Sequence, residues 1–234
     1  MTHQGKRYAV ATAKLDRART YSPEEALAQV KGAASAKFDE TVEVAIRLGV
    51  DAKSGEQMVR GTISLPHGTG KSPRVVAFAR GDGETAAREA GADFVGAEDL
   101  VQKIEAGWKD FDVLVATREM MRVVGRLGKR LGPRMPSPKA GTVGDDIGQI
   151  VRDLKSGRVQ FRMDKGGIVH VPIGKVSFDV TQLQENFGML LNAVLRARPS
   201  AAKGQYLRKI AVSSTMGPSL LVDTAQAQAL AESI

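Results

Sequence analysis

Leu65-Pro66-His67-Gly68-Thr69-Gly70-Lys71-Ser72-Pro73-Arg74-Val75-Val76-Ala77-Phe78-Ala79 is the stretch at which the chain changes style. Before it, residues 41–50 alternate. Val42, Val44, Ile46 and Leu48 face one side, and Thr41, Glu43, Ala45 and Arg47 face the other. That period of two predicts a half-buried strand, and Gly61–Leu65 predicts a second. Within it, Val75–Ala79 is apolar without interruption, and Phe111–Ala116 repeats the pattern. Helices are expected over about 84–90, 97–106 and 119–131, and a further one over 145–155, ending at Ser156-Gly157. Continuous apolar strands that alternate with helices predict a parallel sheet covered on both faces.

After Gly157 the alternating style returns. Val159, Phe161 and Met163 face one way, Asp164-Lys165-Gly166-Gly167 reads as a hairpin turn, and Ile168–Val171 runs back. A helix over 180–197, a strand over 209–213, a turn at Met216-Gly217-Pro218, a strand over 219–222 and a polar tail complete the reading. Near the start, Ser22-Pro23-Glu24-Glu25 combines an N-cap, a first-turn proline and two acids, which predicts a helix to about Ala34. Residues 1–20 read as a short basic arm without the apolar core of a signal peptide. The expected fold class is therefore α/β and α+β. An antiparallel α+β domain from both termini, residues 1–66 plus 158–234, is interrupted by an inserted parallel α/β domain, residues 67–157. Gly68 and Gly70 on the outgoing crossing and Gly157 on the return form a candidate two-strand hinge, because glycine accepts large backbone rotations.

Composition narrows the function. The chain has 234 residues, 42% of them hydrophobic but only 5% aromatic, so its cores are aliphatic. It has no cysteine, which excludes disulfides, thiolate metal sites and cysteine nucleophiles and suits a reducing cytoplasm. His3, His67 and His170 are scattered and share no metal-ligand spacing. No apolar run approaches the ~18 residues of a membrane span. The formal net charge of +8 favours polyanionic partners. The discontinuous domain holds 19 Lys and Arg against 13 Asp and Glu, a net of +6, and the insert 15 against 13, a net of +2. The outer domain is the expected polyanion binder.

Two motifs suggest nucleotides and fail on physical grounds. Gly70-Lys71-Ser72 is the second half of a P-loop, but Leu65 stands where the loop needs its first glycine, and Pro73 and a strand follow where a helix must start. Gly81-Asp82-Gly83-Glu84-Thr85-Ala86 matches the dinucleotide fingerprint, yet Asp82 and Glu84 would repel a pyrophosphate. It reads as a tight strand-to-helix turn. Arg118, Arg122, Arg126 and Arg130 recur every four residues on one helix face. That face is either solvated or a phosphate-contacting stripe, and both readings stay open. In the outer domain, Lys37-Phe38 pairs a cation with an aromatic suited to stacking on a splayed base, or Phe38 belongs to the core. Lys165, His170 and Lys175 lie on the second hairpin. Ser213-Ser214-Thr215-Met216-Gly217-Pro218 is a hydroxyl-rich turn that suits contact with RNA 2′-hydroxyls or is an ordinary turn. No catalytic constellation and no cofactor site stands out.

Four stretches, Lys37–Glu43, Leu65–Lys71, Met135–Val143 and Ser214–Pro218, resemble in order the motifs of the bacterial large-subunit ribosomal protein L-one family, the protein of the mobile ribosomal stalk. The resemblance implies an α+β domain interrupted by a Rossmann-like domain without nucleotide, and a structural protein rather than an enzyme. It implies a cytoplasmic, ribosomal location, monomeric when off the ribosome. It implies that the outer domain grips large-subunit ribosomal RNA through Lys37, Phe38, Thr41 and Glu43, through Lys165, His170 and Lys175, and through Ser213, Thr215, Met216 and Gly217. Ser137 stands where the family has asparagine, so the proline-rich stretch receives no RNA role. Further implied partners are exit-site transfer RNA, whose release accompanies stalk movement, and the protein's own messenger, which many members repress. The other class of function is a nucleotide-dependent enzyme working through the inserted domain.

Overall fold

A computed structural model describes residues 5–13, 15, 16, 18–51 and 57–233. His3 and parts of the N-terminal arm lie outside them. In chain order the elements are α1 (Lys6–Ala13), β1 (Thr20–Tyr21), α2 (Pro23–Ala33), β2 (Thr41–Leu48), β3 (Arg60–Ser64), β4 (Val75–Phe78), α3 (Asp82–Glu89), β5 (Phe94–Gly96), α4 (Glu98–Glu105), β6 (Val113–Ala116), α5 (Met121–Val124), α6 (Gly128–Leu131), α7 (Ile147–Lys155), β7 (Arg158–Arg162), β8 (Ile168–Lys175), α8 (Val180–Arg196), β9 (Leu207–Ser214), β10 (Leu220–Val222) and α9 (Thr224–Glu232). Packing divides the chain into two compact units, Met1–Gly70 with Val159–Ile234, and Lys71–Arg158.

The first unit is built on a five-stranded sheet in the order β1-β10-β9-β2-β8. β2 lies at the antiparallel centre, with Val44 opposite both Val171 and Val212. Its even-numbered residues are buried against Leu183, Phe187 and Leu190 of α8, and its odd-numbered ones line the open face. Ser22 Oγ accepts from Glu25 N at 3.2 Å at the start of α2, and Gln182 Oε1 accepts from Asp179 N at 3.0 Å at the start of α8.

The second unit holds a parallel sheet in the order β5-β4-β6. All of β4 is buried because successive side chains enter different cores. Val75 and Ala77 pack with α3 and α7, while Val76 and Phe78 pack with α4 and α5. This sheet is parallel throughout, whereas the first is antiparallel except where β1 pairs in parallel with β10.

The structure corrects the reading at four places. The turn at Asp164–Gly167 is present, but its arms diverge after the Met163–Val169 bridge: β7 pairs with β3, and β8 joins β2. The helix expected over 119–131 is broken into α5, a 3₁₀ turn at Gly125–Leu127 and α6. Gly125 and Gly128 are the cause, since glycine weakens a helix by about 1 kcal/mol each against alanine. A third parallel strand, β5, lies in a segment too short to show periodicity. The polar tail contains α9, started by Asp223, whose carboxylate accepts from Ala225 N and Gln226 N. No helix of the described residues is long and apolar enough to cross a membrane.

Candidate nucleic-acid interface

One end of the five-stranded sheet gathers most of the predicted contact residues around a buried carboxylate that sequence reading did not single out. Glu40 is only 2% exposed. Its Oε1 accepts from Ser35 N at 3.1 Å and Ala36 N at 2.9 Å. Its Oε2 accepts from Ser214 Oγ at 2.7 Å and Met216 N at 2.9 Å. A carboxylate out of water is costly unless its lone pairs are filled, and here four donors fill them. Burial pushes the Glu40 pKa up, but the hydrogen bonds from Met216, Ala36, Ser214 and Ser35 outweigh it and hold it below its ordinary value.

Further bonds stitch the same segments together. Thr41 N donates to Thr215 Oγ1 at 2.9 Å, and that hydroxyl donates to Thr41 O at 3.2 Å. Lys175 Nζ donates to Asp39 O at 3.2 Å and Thr41 Oγ1 at 3.0 Å. Asp39 in turn accepts from Ser177 N and Ser177 Oγ. Gly217 N donates to Ser214 O at 3.2 Å to close the turn. A Cβ on Gly217 would lie 2.4 Å from Ser214 Oγ, so only glycine fits there undisturbed.

What this frame presents is apolar. Phe38 is 57% exposed and Met216 is 50% exposed, beside exposed Lys37 and Glu43. Phe38 is therefore not a core residue. Ser213 lies directly across from Glu43. Lys37, Phe38, Thr41, Glu43, Lys175, Ser213, Thr215, Met216 and Gly217 thus form one cluster. His170 lies farther along the open face, opposite Ala45, with Nε2 3.8 Å from Asp164 Oδ2. Lys165 is in the turn beyond it, which meets Leu48 at the far end of β2 through the Leu48 N to Gly167 O bond.

Glu40 and Ser214 were detectable in the sequence. Ser214 sits at the inward parity of β9, and Glu40 continues that of β2 one residue ahead of it, where Val42, Val44, Ile210 and Val212 are apolar. A charged or hydroxyl residue at such a position is buried with a partner or disrupts the strand. Asn186 is the helical equivalent, fully buried on the face of Leu183 and Leu190. It accepts from His67 N at 3.1 Å and donates to Gly68 O at 3.0 Å and Ile173 O at 2.8 Å. Gly68, Gly70 and Gly157 all have positive φ, at 65°, 71° and 92°. A Cβ on Gly70 would also lie 2.5 Å from Lys175 Cγ.

The nucleotide-like motifs look different. No helix begins at Lys71-Ser72. Gly81 precedes α3 with φ 57° and ψ −127°, and Asp82 and Glu84 occupy the first turn of that helix. Glu84 is engaged by Arg88 at 2.6 Å. The arginine series is not one stripe. Arg118 lies ahead of α5 and reaches Asp145 at 3.5 Å, while Arg130 bonds the carbonyl of Glu105. No cluster among the described residues could hold a metal ion.

Residues 30–218 match the sequence model described as the ribosomal protein L1p/L10e family. The match contains all four ordered motifs and every residue of the sheet-end cluster.

Proposed function

The chain belongs to the ribosomal protein L1p/L10e family, and from that premise we propose that it grips large-subunit ribosomal RNA with the end of its five-stranded sheet. The family is one of ribosomal structural proteins, and membership places the chain on the large subunit. The observation that carries the RNA reading is the frame around Glu40. It holds Phe38 and Met216 out in water beside Lys37, Thr215 and Gly217. Exposed flat or polarizable side chains suit unstacked bases, hydroxyls suit the 2′-OH, and the lysines suit phosphates.

On this reading the protein shapes the mobile stalk as a monomeric, inserted two-domain molecule. Gly68, Gly70 and Gly157 serve as its hinge. Stalk movement then assists release of exit-site transfer RNA, and the same RNA-gripping surface represses the protein's own messenger through a mimic of the ribosomal site.

Filter binding to stalk RNA and to random RNA of equal length tests the proposal. Thr215→Ala and Met216→Asp should each weaken binding to stalk RNA by on the order of 1–3 kcal/mol, and Met216→Asp, which removes no side-chain hydrogen bond, should do so with unfolding unchanged. Arg122→Ala in the second unit should matter less. No preference for stalk RNA, or equal losses in all three variants, would overturn the reading. Micromolar binding of ATP or NAD by calorimetry would instead favour a nucleotide-dependent enzyme.

A further inference from the structure

The open face of the five-stranded sheet carries a second basic group at the end opposite Glu40. In the β2–β9 register, Arg47 stands directly across from Lys209. Like charges opposed on neighbouring strands repel each other. Both are exposed, and neither has a carboxylate partner among the described residues. Arg208 joins them, since its Nε lies 3.2 Å from where a Cβ on Gly49 would be. A repulsive pair held on a flat surface without counter-charge is suited to an external polyanion.

The ground between the two ends is low. Ala45 lies between Ala211 on β9 and His170 on β8, and the next rung toward Glu40 holds Glu43 between Ser213 and Pro172. None of these positions carries Phe, Tyr or Trp, so the face offers no stacking platform of the kind that reads bases. It offers an acceptor and a hydroxyl near the Glu40 end and cations at both ends. From Thr41 to Arg47 the strand spans about 20 Å at ~3.3 Å per residue.

We infer that the open sheet face carries one RNA strand from the sheet-end cluster to Arg47, Arg208 and Lys209, where phosphates are bound without regard to sequence. The inference rests on the RNA reading above and extends it along the face from His170 and Lys165 to Arg47, Arg208 and Lys209, which that reading does not include. It separates the roles of the two ends: the Phe38–Met216 end selects the RNA, and the Arg47–Lys209 end adds affinity only if the RNA is long enough to arrive there.

The experiment is fluorescence anisotropy with the full chain and two RNAs that share the stalk element. One ends at that element and the other continues for well over ~20 Å past it. For the Arg47→Gln/Lys209→Gln double variant, affinity for the long RNA should fall about tenfold. The slope of log K against log salt should become shallower by about 1.4, two single-strand phosphate contacts at ~0.7 each. Changing the sequence of the extension should alter neither result, and the short RNA should bind the variant like the wild type. Equal salt slopes on the long RNA, or equal losses on both RNAs, would overturn the inference. Met216→Asp is the separate control. If it binds both RNAs like the wild type, the underlying RNA reading fails; if it loses both while the double variant loses nothing, only the extension fails. Both positions are exposed and removal of the charges relieves repulsion, so the double variant should melt no lower than the wild type.

Discussion

The end of the five-stranded sheet and the turn at Gly81 both combine glycine, acids and an exposed loop, and the fold treats them in opposite ways. At the sheet end, Glu40 is buried and draws donors from two stretches of chain, Ser35-Ala36 and Ser214–Met216, and the surface left outside is Phe38 and Met216. At Gly81 the acid Asp82 is exposed, the half-buried Glu84 finds its partner four residues on, and no large apolar side chain of the turn is held in water. A surface loop that commits a buried carboxylate to holding large apolar side chains outward is built for a partner. A loop whose polar groups settle with close neighbours needs none.

Glu40→Gln should have the largest effect. The amide keeps the size but cannot accept all four hydrogen bonds, and one or more of Ser35 N, Ala36 N, Ser214 Oγ and Met216 N loses its partner. A loss of about 3 kcal/mol in chemical denaturation is expected. The wild type should also lose more stability in acid than the variant, which keeps only the contributions of other carboxylates such as Asp93. Because the folded pKa of Glu40 lies below its ordinary 4.5, its contribution is complete above that pH and fades as pH falls through the lowered value. Equal stability of the two proteins at neutral pH would break the comparison at its root.

A pair of glycine substitutions sharpens it. Gly217→Ala drives a Cβ to 2.4 Å from Ser214 Oγ, the hydroxyl that bonds Glu40, so it should destabilise by about 1–3 kcal/mol and weaken RNA binding. Gly81→Ala meets no atom within 4 Å, but its φ of 57° with ψ −127° suits only glycine. It should cost about 1–3 kcal/mol through backbone strain alone, with RNA affinity intact. Denaturation and anisotropy on the same two proteins separate the cases, and loss of RNA binding by Gly81→Ala would contradict the contrast. Phe38→Ala is the converse. At 57% exposure it should leave stability within about 0.5 kcal/mol of the wild type while weakening RNA binding by about 1–3 kcal/mol.

The sheet was more legible in the sequence than the site. Alternation in 41–48 gave the buried face of β2 residue by residue, and the unbroken apolar runs at 75–79 and 113–116 gave the parallel core. Periodicity reports burial, and burial is what those segments share. It is silent where one short strand such as Phe94–Gly96 completes a sheet, and it overran Gly125 and Gly128, where the apolar spacing continues but the helix does not. The site residues were legible as polar or aromatic outliers near turns, without the bonds that join them. Glu40 stands one residue ahead of its strand, so only its parity with Val42 and Val44 marks it as the one charge in an apolar row. His170 and Lys165 are close to Lys175 in the sequence, on the same expected hairpin. An eight-residue strand instead carries them away along the face, at ~3.3 Å per residue.

The smallest expected effect tests the comparison from the other side. Asp82→Asn/Glu84→Gln removes both acids from the Gly81 turn. It breaks an exposed i,i+4 ion pair, Glu84 with Arg88, worth about 0.3–0.5 kcal/mol. It also takes negative charge from the first turn of α3, where each acid is worth about 0.3–1 kcal/mol against the helix dipole. Stability should therefore fall by roughly 1 kcal/mol. If the turn is only a strand-to-helix connection, calorimetry with ATP or NAD should record no saturable heat in the variant. If removal of the acids brings micromolar binding, the turn is a phosphate cradle masked by two carboxylates. The contrast with the sheet end would then be one of charge, not of construction.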